Sequence, residues 1–173
     1  MIVKLLNTFF IFALIASCSN EKLISDSEKM PIELIGKWKA VSLFLSDATT
    51  GVCHADIPNR DITIEFINEL ADDKKSFKVA GSSTVNSYFA TITINSFIDS
   101  EKKASISVNS IGSTKMAGSP EMMNCEQNYF QFLTESTGIQ IFTDKPNRLH
   151  IGRLKEADSN PRDGGTFYVF EKL

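Results

Sequence analysis

Between Ser119 and Leu133 the sequence reads SPEMMNCEQNYFQFL, and it is the one helical pattern in a chain of strand patterns. Ser119 is a favourable N-cap, Pro120 suits the first helical position, and Glu121 complements the positive end of the helix dipole. Apolar residues then recur at helical spacing, at Met122, Cys125, Tyr129 and Phe132. The stretch predicts a helix that ends near Ser136–Gly138 and buries one apolar stripe.

Short strand patterns flank this helix on both sides. Ile62, Ile64 and Phe66 alternate with polar residues, which is typical of a strand with one buried face. Similar patterns separated by turn residues predict about eight strands, over 38–43, 62–66, 77–79, 88–97, 106–111, 139–142, 149–154 and 167–170. Residues 46–60 read as a long loop. We therefore expect an α+β fold, mostly antiparallel β, whose barrel-like sheet is partly closed and carries one inserted helix.

The composition indicates one folded domain and excludes several function classes. The chain has 173 residues, 42% of them hydrophobic, which suffices for one core. A net charge of −3 without a basic cluster argues against a nucleic-acid partner. The sequence shows no nucleophile elbow or phosphate loop, so we predict no catalytic residues and no cofactor. Cys53, His54 and Asp56 lack a spaced second pair of ligands, so we also predict no metal site.

The N-terminal stretch has the pattern of a secretory signal. After Lys4, the apolar run LLNTFFIFALIA at 5–16 has the length of a signal h-region and is too short for a membrane-spanning helix. It ends in Ile15-Ala16-Ser17-Cys18, which resembles the lipobox of bacterial lipoproteins. We expect a lipoprotein signal peptide at 1–17, lipidation at Cys18, a flexible tether at 18–31 and a domain at 32–173. An ordinary secretory signal that happens to contain a cysteine is the alternative.

This pattern predicts a location as well. Acylated Cys18 would hold the domain to a membrane of the bacterial cell envelope. Ser19 follows the cysteine, whereas an aspartate there favours retention at the inner membrane in enteric-type bacteria. The outer membrane is therefore expected, and both its periplasmic face and the cell surface are compatible with the sequence.

Two cysteines remain once Cys18 carries lipid. The remaining two, Cys53 and Cys125, can form one disulfide because the cell envelope is an oxidising compartment. The alternative is two reduced cysteines, with Cys125 filling a core position on the helix.

Three segments carry a resemblance to a known family. Leu34-Ile35-Gly36-Lys37-Trp38 contains Gly-x-Trp, Val79–Tyr88 is similar to a central Gly-x-x-Gly-Cys-Asn segment, and Ser113–Gly118 reads STKMAG. Together they resemble the META domain family, which includes heat-shock-linked bacterial envelope lipoproteins. The resemblance spans residue 34 to the end of the chain and continues on the helix at Glu126, Phe130 and Leu133.

The chain departs from the family pattern at two cysteines. Val85 and Gly118 stand where the family has them. Their joint loss is expected if the two form a bridge in other members. A bridge between Cys53 and Cys125 would compensate for that loss.

The resemblance implies site residues and a function. It selects Asn86, Thr114 and Glu126, which either form a ligand site near the helix start or tie loops to the helix by hydrogen bonds. The family has no established catalytic residues. We therefore expect a non-enzymatic envelope lipoprotein that supports stress tolerance or envelope integrity through contacts with an unidentified envelope protein.

A second family offers an alternative function. Gly36-x-Trp38 followed by antiparallel strands also resembles lipocalins, whose barrels carry small apolar ligands. The inserted helix precedes the last three strands, whereas a lipocalin places its helix after the barrel. An apolar cavity at one barrel end would favour the carrier, and a filled interior would favour contacts on the outer surface.

Overall fold

A computed structural model describes residues 30–53, 60–142, 148–156 and 163–173. The signal peptide expected at 1–17, Cys18, His54 and Asp56 lie outside these ranges. The described elements, in chain order, are β1 (Gly36–Leu45), β2 (Ala48–Gly51), β3 (Thr63–Leu70), β4 (Phe77–Ser82), β5 (Ser87–Ile98), β6 (Lys103–Ser113), α1 (Pro120–Thr134), β7 (Gly138–Ile141), β8 (Arg148–Leu154) and β9 (Gly165–Lys172).

The strands form one antiparallel sheet that closes on itself. Its order is β2-β1-β3-β4-β5-β6-β7-β8-β9, and β1 also pairs with β9. The ring therefore runs from β1 through β3 to β9, while β2 pairs only with the end of β1, at Ser42–Leu45. The prediction of an α+β fold with a mostly antiparallel sheet and one helix is confirmed.

The strand β2 was not predicted, because it lies within the stretch expected to be a loop. Its four residues, ATTG, are all exposed and show no apolar alternation. Ser46 takes a left-handed conformation, with φ of 57°, in the turn that folds β2 back onto β1. A strand that buries neither face leaves no periodic signal in the sequence.

The predicted alternation directs apolar side chains into a filled interior. Ile64 and Phe66 of β3 are buried, while Glu65 between them is exposed. Trp38 is fully buried, and its indole N–H donates a hydrogen bond to the Leu34 carbonyl oxygen at 2.9 Å. The largest fully buried side chains include Trp38, Tyr129, Phe66, Phe170, Leu34 and Leu149.

The packed core includes Met30, which lies within the tether expected at 18–31. Met30 is 3% exposed and belongs to the core cluster. Its apolar side chain gains more from burial than from extension into water.

The helix α1 begins as its sequence predicts. The Ser119 side chain accepts a hydrogen bond from the Met122 N–H, and Pro120 is the first helical residue. Its buried face comprises Cys125, Glu126, Tyr129 and Leu133. Met122 and Phe132, expected on the stripe, are only half-buried, because the face turned toward the sheet is centred about one residue away from them. Among the described residues, no helix is both long and apolar enough to cross a membrane.

The helix lies where the ring is least fully paired. β7 pairs with β6 only at Lys103–Ser105. Beyond that point α1 packs beside β6, and it also contacts β8. The helix thus lies beside β6 where β7 no longer pairs with it.

Candidate functional site

The structure brings together the three polar residues that the resemblance selects. Asn86 ends the turn between β4 and β5, Thr114 directly follows β6, and Glu126 lies on the buried face of α1. Ser83, at the start of the same turn, joins them. We call Ser83, Asn86, Thr114 and Glu126 the Glu126 cluster.

The Glu126 carboxylate is the centre of this cluster. It is 5% exposed and accepts hydrogen bonds from the Asn86 backbone N–H at 2.9 Å, the Asn86 side-chain amide at 2.8 Å and the Ser83 hydroxyl. A buried carboxylate is costly unless its oxygens are hydrogen-bonded. Here both oxygens have donors, so the helix is held to the β4–β5 turn through one side chain.

Asn86 extends the cluster to the segment after β6. Its side-chain oxygen accepts hydrogen bonds from the Thr114 hydroxyl at 2.8 Å and from the Met116 N–H at 2.7 Å. Thr84, in the same turn, donates from its hydroxyl to the Met122 carbonyl oxygen at 3.0 Å. The cluster therefore connects three segments that are distant in sequence.

The polar groups of the Glu126 cluster hydrogen-bond to one another and to nearby backbone groups, and so hold neighbouring segments together. In the described part of the chain, every buried side-chain nitrogen or oxygen has a hydrogen-bond partner. The polar groups of Asn86, Thr114 and Glu126 are thus used within the protein. Sequence analysis did not select Ser83, although Ser83-x-x-Asn86 is a spacing at which a serine hydroxyl closes a turn.

A disulfide lies next to this cluster. Cys53 and Cys125 are bonded, with Cα atoms 6.2 Å apart and a sequence separation of 72. Cys125 directly precedes Glu126 on α1. The bridge therefore fastens the segment after β2 to the helix at almost the same point as the carboxylate.

The two positions at which the family carries cysteines are also adjacent in space. A Cβ atom added to Gly118 would lie 2.8 Å from Cγ2 of Val85. Val85 in the β4–β5 turn therefore lies close to Gly118, the residue before the helix N-cap. The Glu126 cluster connects the same two segments.

Two buried tyrosines form a second polar contact beneath the helix, which sequence analysis missed. The hydroxyls of Tyr88 and Tyr129 are 2.7 Å apart, and Tyr88 also donates to the Thr63 carbonyl oxygen at 3.0 Å. Burial raises the pKa of both phenols, so both remain neutral hydrogen-bonding groups. Their positions in the sequence showed only apolar periodicity.

His150 lies on the face of β8 opposite the buried Leu149 and Ile151. It is nevertheless half-buried, because the rings of Phe142 and Phe167 each lie with centroids 4.3 Å from the imidazole. Burial, with a smaller contribution from the charge of Arg148, lowers the pKa of His150 to about 4.

A groove lies beside the Glu126 cluster, between β6 and α1. It has a volume of about 460 Å³. Its walls are formed by Ile111, Ser113, Met123, Glu126, Gln127, Phe130, Gln131 and Thr134. Elsewhere, across the described ranges, no three His, Cys, Asp or Glu side chains are grouped so as to hold a metal ion.

A closed ring of antiparallel strands around a filled core, with one helix fastened by a buried carboxylate and a disulfide, defines a small β-rich α+β domain. The META domain family model matches residues 33–159. The chain belongs to the META domain family, and the resemblance drawn from its sequence is confirmed.

A solved structure shares this fold. It is described as the NMR structure of the protein from Burkholderia xenovorans, is 18% identical, and matches with a TM-score of 0.55. The match covers 81% of this chain and 83% of that chain. At this identity the likeness concerns the fold alone. No curated protein matches the chain.

Proposed function

We propose that this protein is a non-enzymatic lipoprotein of the bacterial cell envelope that works through protein contacts made by the outer surface of its META domain. The observation that carries the proposal is the filled interior. In the described part of the chain, the side chains that face into the ring form one continuous buried cluster, which favours binding on the outside of the domain.

The Glu126 cluster supports the same conclusion. Its carboxylate and amide groups bond to each other and to backbone groups of neighbouring segments. A ligand would have to displace these buried hydrogen bonds, and each displaced group would then carry the cost of desolvation. We therefore assign Asn86, Thr114 and Glu126 a structural role.

The proposed anchor is acylated Cys18. The apolar leader and the residues Ile15-Ala16-Ser17-Cys18 support it. More than one acyl chain on the mature N-terminus would give stable attachment, since a single chain binds a membrane only marginally. We place the protein at the outer membrane, where it would support stress tolerance or envelope integrity.

Mass spectrometry of the protein purified from bacterial membranes tests the anchor. We expect a mature chain that begins at Cys18 and carries acyl groups, and a Cys18→Ala variant that is unprocessed and unacylated. Ser19→Ala, which changes the neighbouring residue, is the matched control and should behave as wild type. A wild-type chain that retains residues 1–17, or whose Cys18 is unmodified, would overturn the anchor.

The carrier function is the competing hypothesis, and the filled interior weighs against it. Native mass spectrometry of the membrane-extracted protein separates the two functions. We expect the mass of the acylated chain alone. A stoichiometric non-covalent lipid that persists in the Cys18→Ala variant would favour the carrier instead.

The proposed role is tested by heat stress of a strain that lacks the gene. We expect wild-type protein to restore survival and envelope impermeability to a dye, and Cys18→Ala to fail at equal abundance. Equal rescue by both variants would contradict a role at the membrane.

A further inference from the structure

The strand β6 has one side that is paired over only part of its length. This strand pairs with β5 along its whole length, from Lys103 to Ser113. On its other side, β7 pairs only with Lys103–Ser105. No strand in the described part of the chain covers the side of β6 beyond Ile106.

The direction of the backbone groups on this edge follows from the pairing with β5. The Thr114 N–H donates to the Ser87 carbonyl oxygen at 3.0 Å, in register with Phe89 opposite Gly112. In an antiparallel pair, hydrogen-bonded residues alternate with residues whose backbone groups point the other way. The N–H and C=O groups of Ile111 and Ser113 therefore point away from β5.

These groups point toward the groove beside α1. Ile111 and Ser113 form one wall, and Met123, Gln127 and Phe130 of the helix belong to the other. Unpaired strand edges are templates for the addition of another strand. β7 and the helix cover other parts of this edge, but a space of about 460 Å³ remains beside Ile111 and Ser113.

The chemistry of the groove defines what fits it. Ile111, Met123 and Phe130 supply apolar contacts, and Met123 is 39% exposed. The other walls are uncharged apart from Glu126, whose carboxylate is already bonded to Asn86 and Ser83. The groove therefore offers backbone hydrogen bonds and apolar contact without an available charge.

We propose that the edge of β6 at Ile111 and Ser113 binds an extended, uncharged peptide segment of a partner protein by strand addition. The added strand would exchange backbone hydrogen bonds with Ile111 and Ser113. One of its apolar side chains would lie between Met123 and Phe130. Strand addition obtains affinity from the main chain and specificity from alternate side chains.

This inference names the contact surface and rests on the proposed function. The two can fail separately, because the mass of the mature chain tests the anchor and peptide binding tests the groove. Peptide binding is measured on the full chain as it is purified from bacterial membranes, so that its result does not depend on whether Cys18 is acylated.

Amide hydrogen exchange by NMR provides the first test. In the free protein, the amides of Ile111 and Ser113 should exchange faster than those of Ser110 and Gly112, which face β5. Addition of a blocked hexapeptide of alternating threonine and valine should slow exchange at Ile111 and Ser113. Equal protection of all four amides in the free protein, or no slowing at millimolar peptide, would overturn the proposal.

A pair of variants at one position isolates the backbone contribution. Ser113→Pro removes the N–H that faces the groove but no bond to β5, and proline is tolerated on a free edge. We expect it to weaken hexapeptide binding about fivefold or more. Ser113→Ala, which keeps the N–H, should bind as wild type. Equal binding by both variants would contradict strand addition.

A second pair tests the groove without altering the backbone. Met123→Glu places a charge in the groove, whereas Met116→Glu places one at an exposed methionine outside its walls. Only Met123→Glu should abolish binding of the hexapeptide. Loss in both variants, or in neither, would exclude this groove as the binding site.

Discussion

Two junctions between neighbouring strands of the ring, which we call the β1–β9 seam and the β6–β7 seam, are built differently. At the β1–β9 seam, backbone pairing runs from Trp38 opposite Lys172 to Leu45 opposite Thr166, with one irregularity after Ala40. At the β6–β7 seam, pairing covers only Lys103–Ser105. Beyond it α1 packs beside β6 and leaves a groove at Ile111 and Ser113. The first seam is held by repeated main-chain hydrogen bonds, and the second depends on a few specific side chains.

Because of this difference, we expect the two seams to tolerate substitutions to different extents. A main-chain ladder persists through most substitutions, because every residue except proline supplies the same backbone groups. The β6–β7 seam relies instead on the Cys53–Cys125 bridge and on the Glu126 carboxylate, which depend on the identity of those side chains. Substitutions at the β6–β7 seam should therefore cost more than substitutions at the β1–β9 seam.

The disulfide should give the largest effect. Because the bridge spans 72 residues, its loss should lower the free energy of unfolding by about 4 kcal/mol through the added freedom of the unfolded chain. Chemical denaturation of the wild-type protein with and without reductant measures this change. The double variant Cys53→Ala/Cys125→Ala should match the reduced protein and should not respond to reductant. A wild-type midpoint that reductant leaves unchanged would show that the bridge does not hold this seam.

Removal of the Glu126 carboxylate should give the next largest effect. Glu126→Ala leaves the Asn86 N–H groups and the Ser83 hydroxyl without their buried acceptor, and we expect a loss of about 3 kcal/mol. Glu126→Gln retains one acceptor oxygen and should lose less. Asn128→Ala, an exposed change on the same helix, is the control and should stay within about 0.5 kcal/mol of wild type. Equal stability of Glu126→Ala and Asn128→Ala would contradict the contrast between the seams.

A pH effect at His150 should be the smallest. The side chain lies beside the β1–β9 seam, against Phe167. Its pKa is about 4 in the folded protein and about 6.5 in an unfolded chain. The unfolded state therefore takes up a proton first as the pH falls. The stability contributed by neutral His150 is complete above pH 6.5 and is lost progressively toward pH 4.

The size of this loss is limited because the imidazole keeps part of its contact with water. We expect a decrease below about 1 kcal/mol between pH 7 and pH 5. The measurement is the difference in unfolding free energy between wild type and His150→Phe at each pH. That variant keeps an aromatic ring between Phe142 and Phe167 but does not titrate. A difference that is constant with pH would show that His150 protonates equally in both states.

Local sequence was sufficient for most of the elements. The residues SPEM predicted the start of α1 because capping depends on adjacent residues, and apolar alternation predicted β3 because its period is local. Asn86, Thr114 and Glu126 came from the family resemblance. The resemblance did not select Ser83. Its partner Glu126 lies 43 residues away, and one sequence shows no link between two such positions.

The sequence by itself determined the helix, the ring strands and the apolar faces, since each depends on residue types at short, regular spacing. Only the tertiary structure decided which strands meet at the two seams, that the Cys53 and Cys125 sulfurs come together, and that Ile111 and Ser113 face a groove. These features depend on where distant segments come to lie, and that position is set by the packing of the whole core. A local pattern carries no record of it.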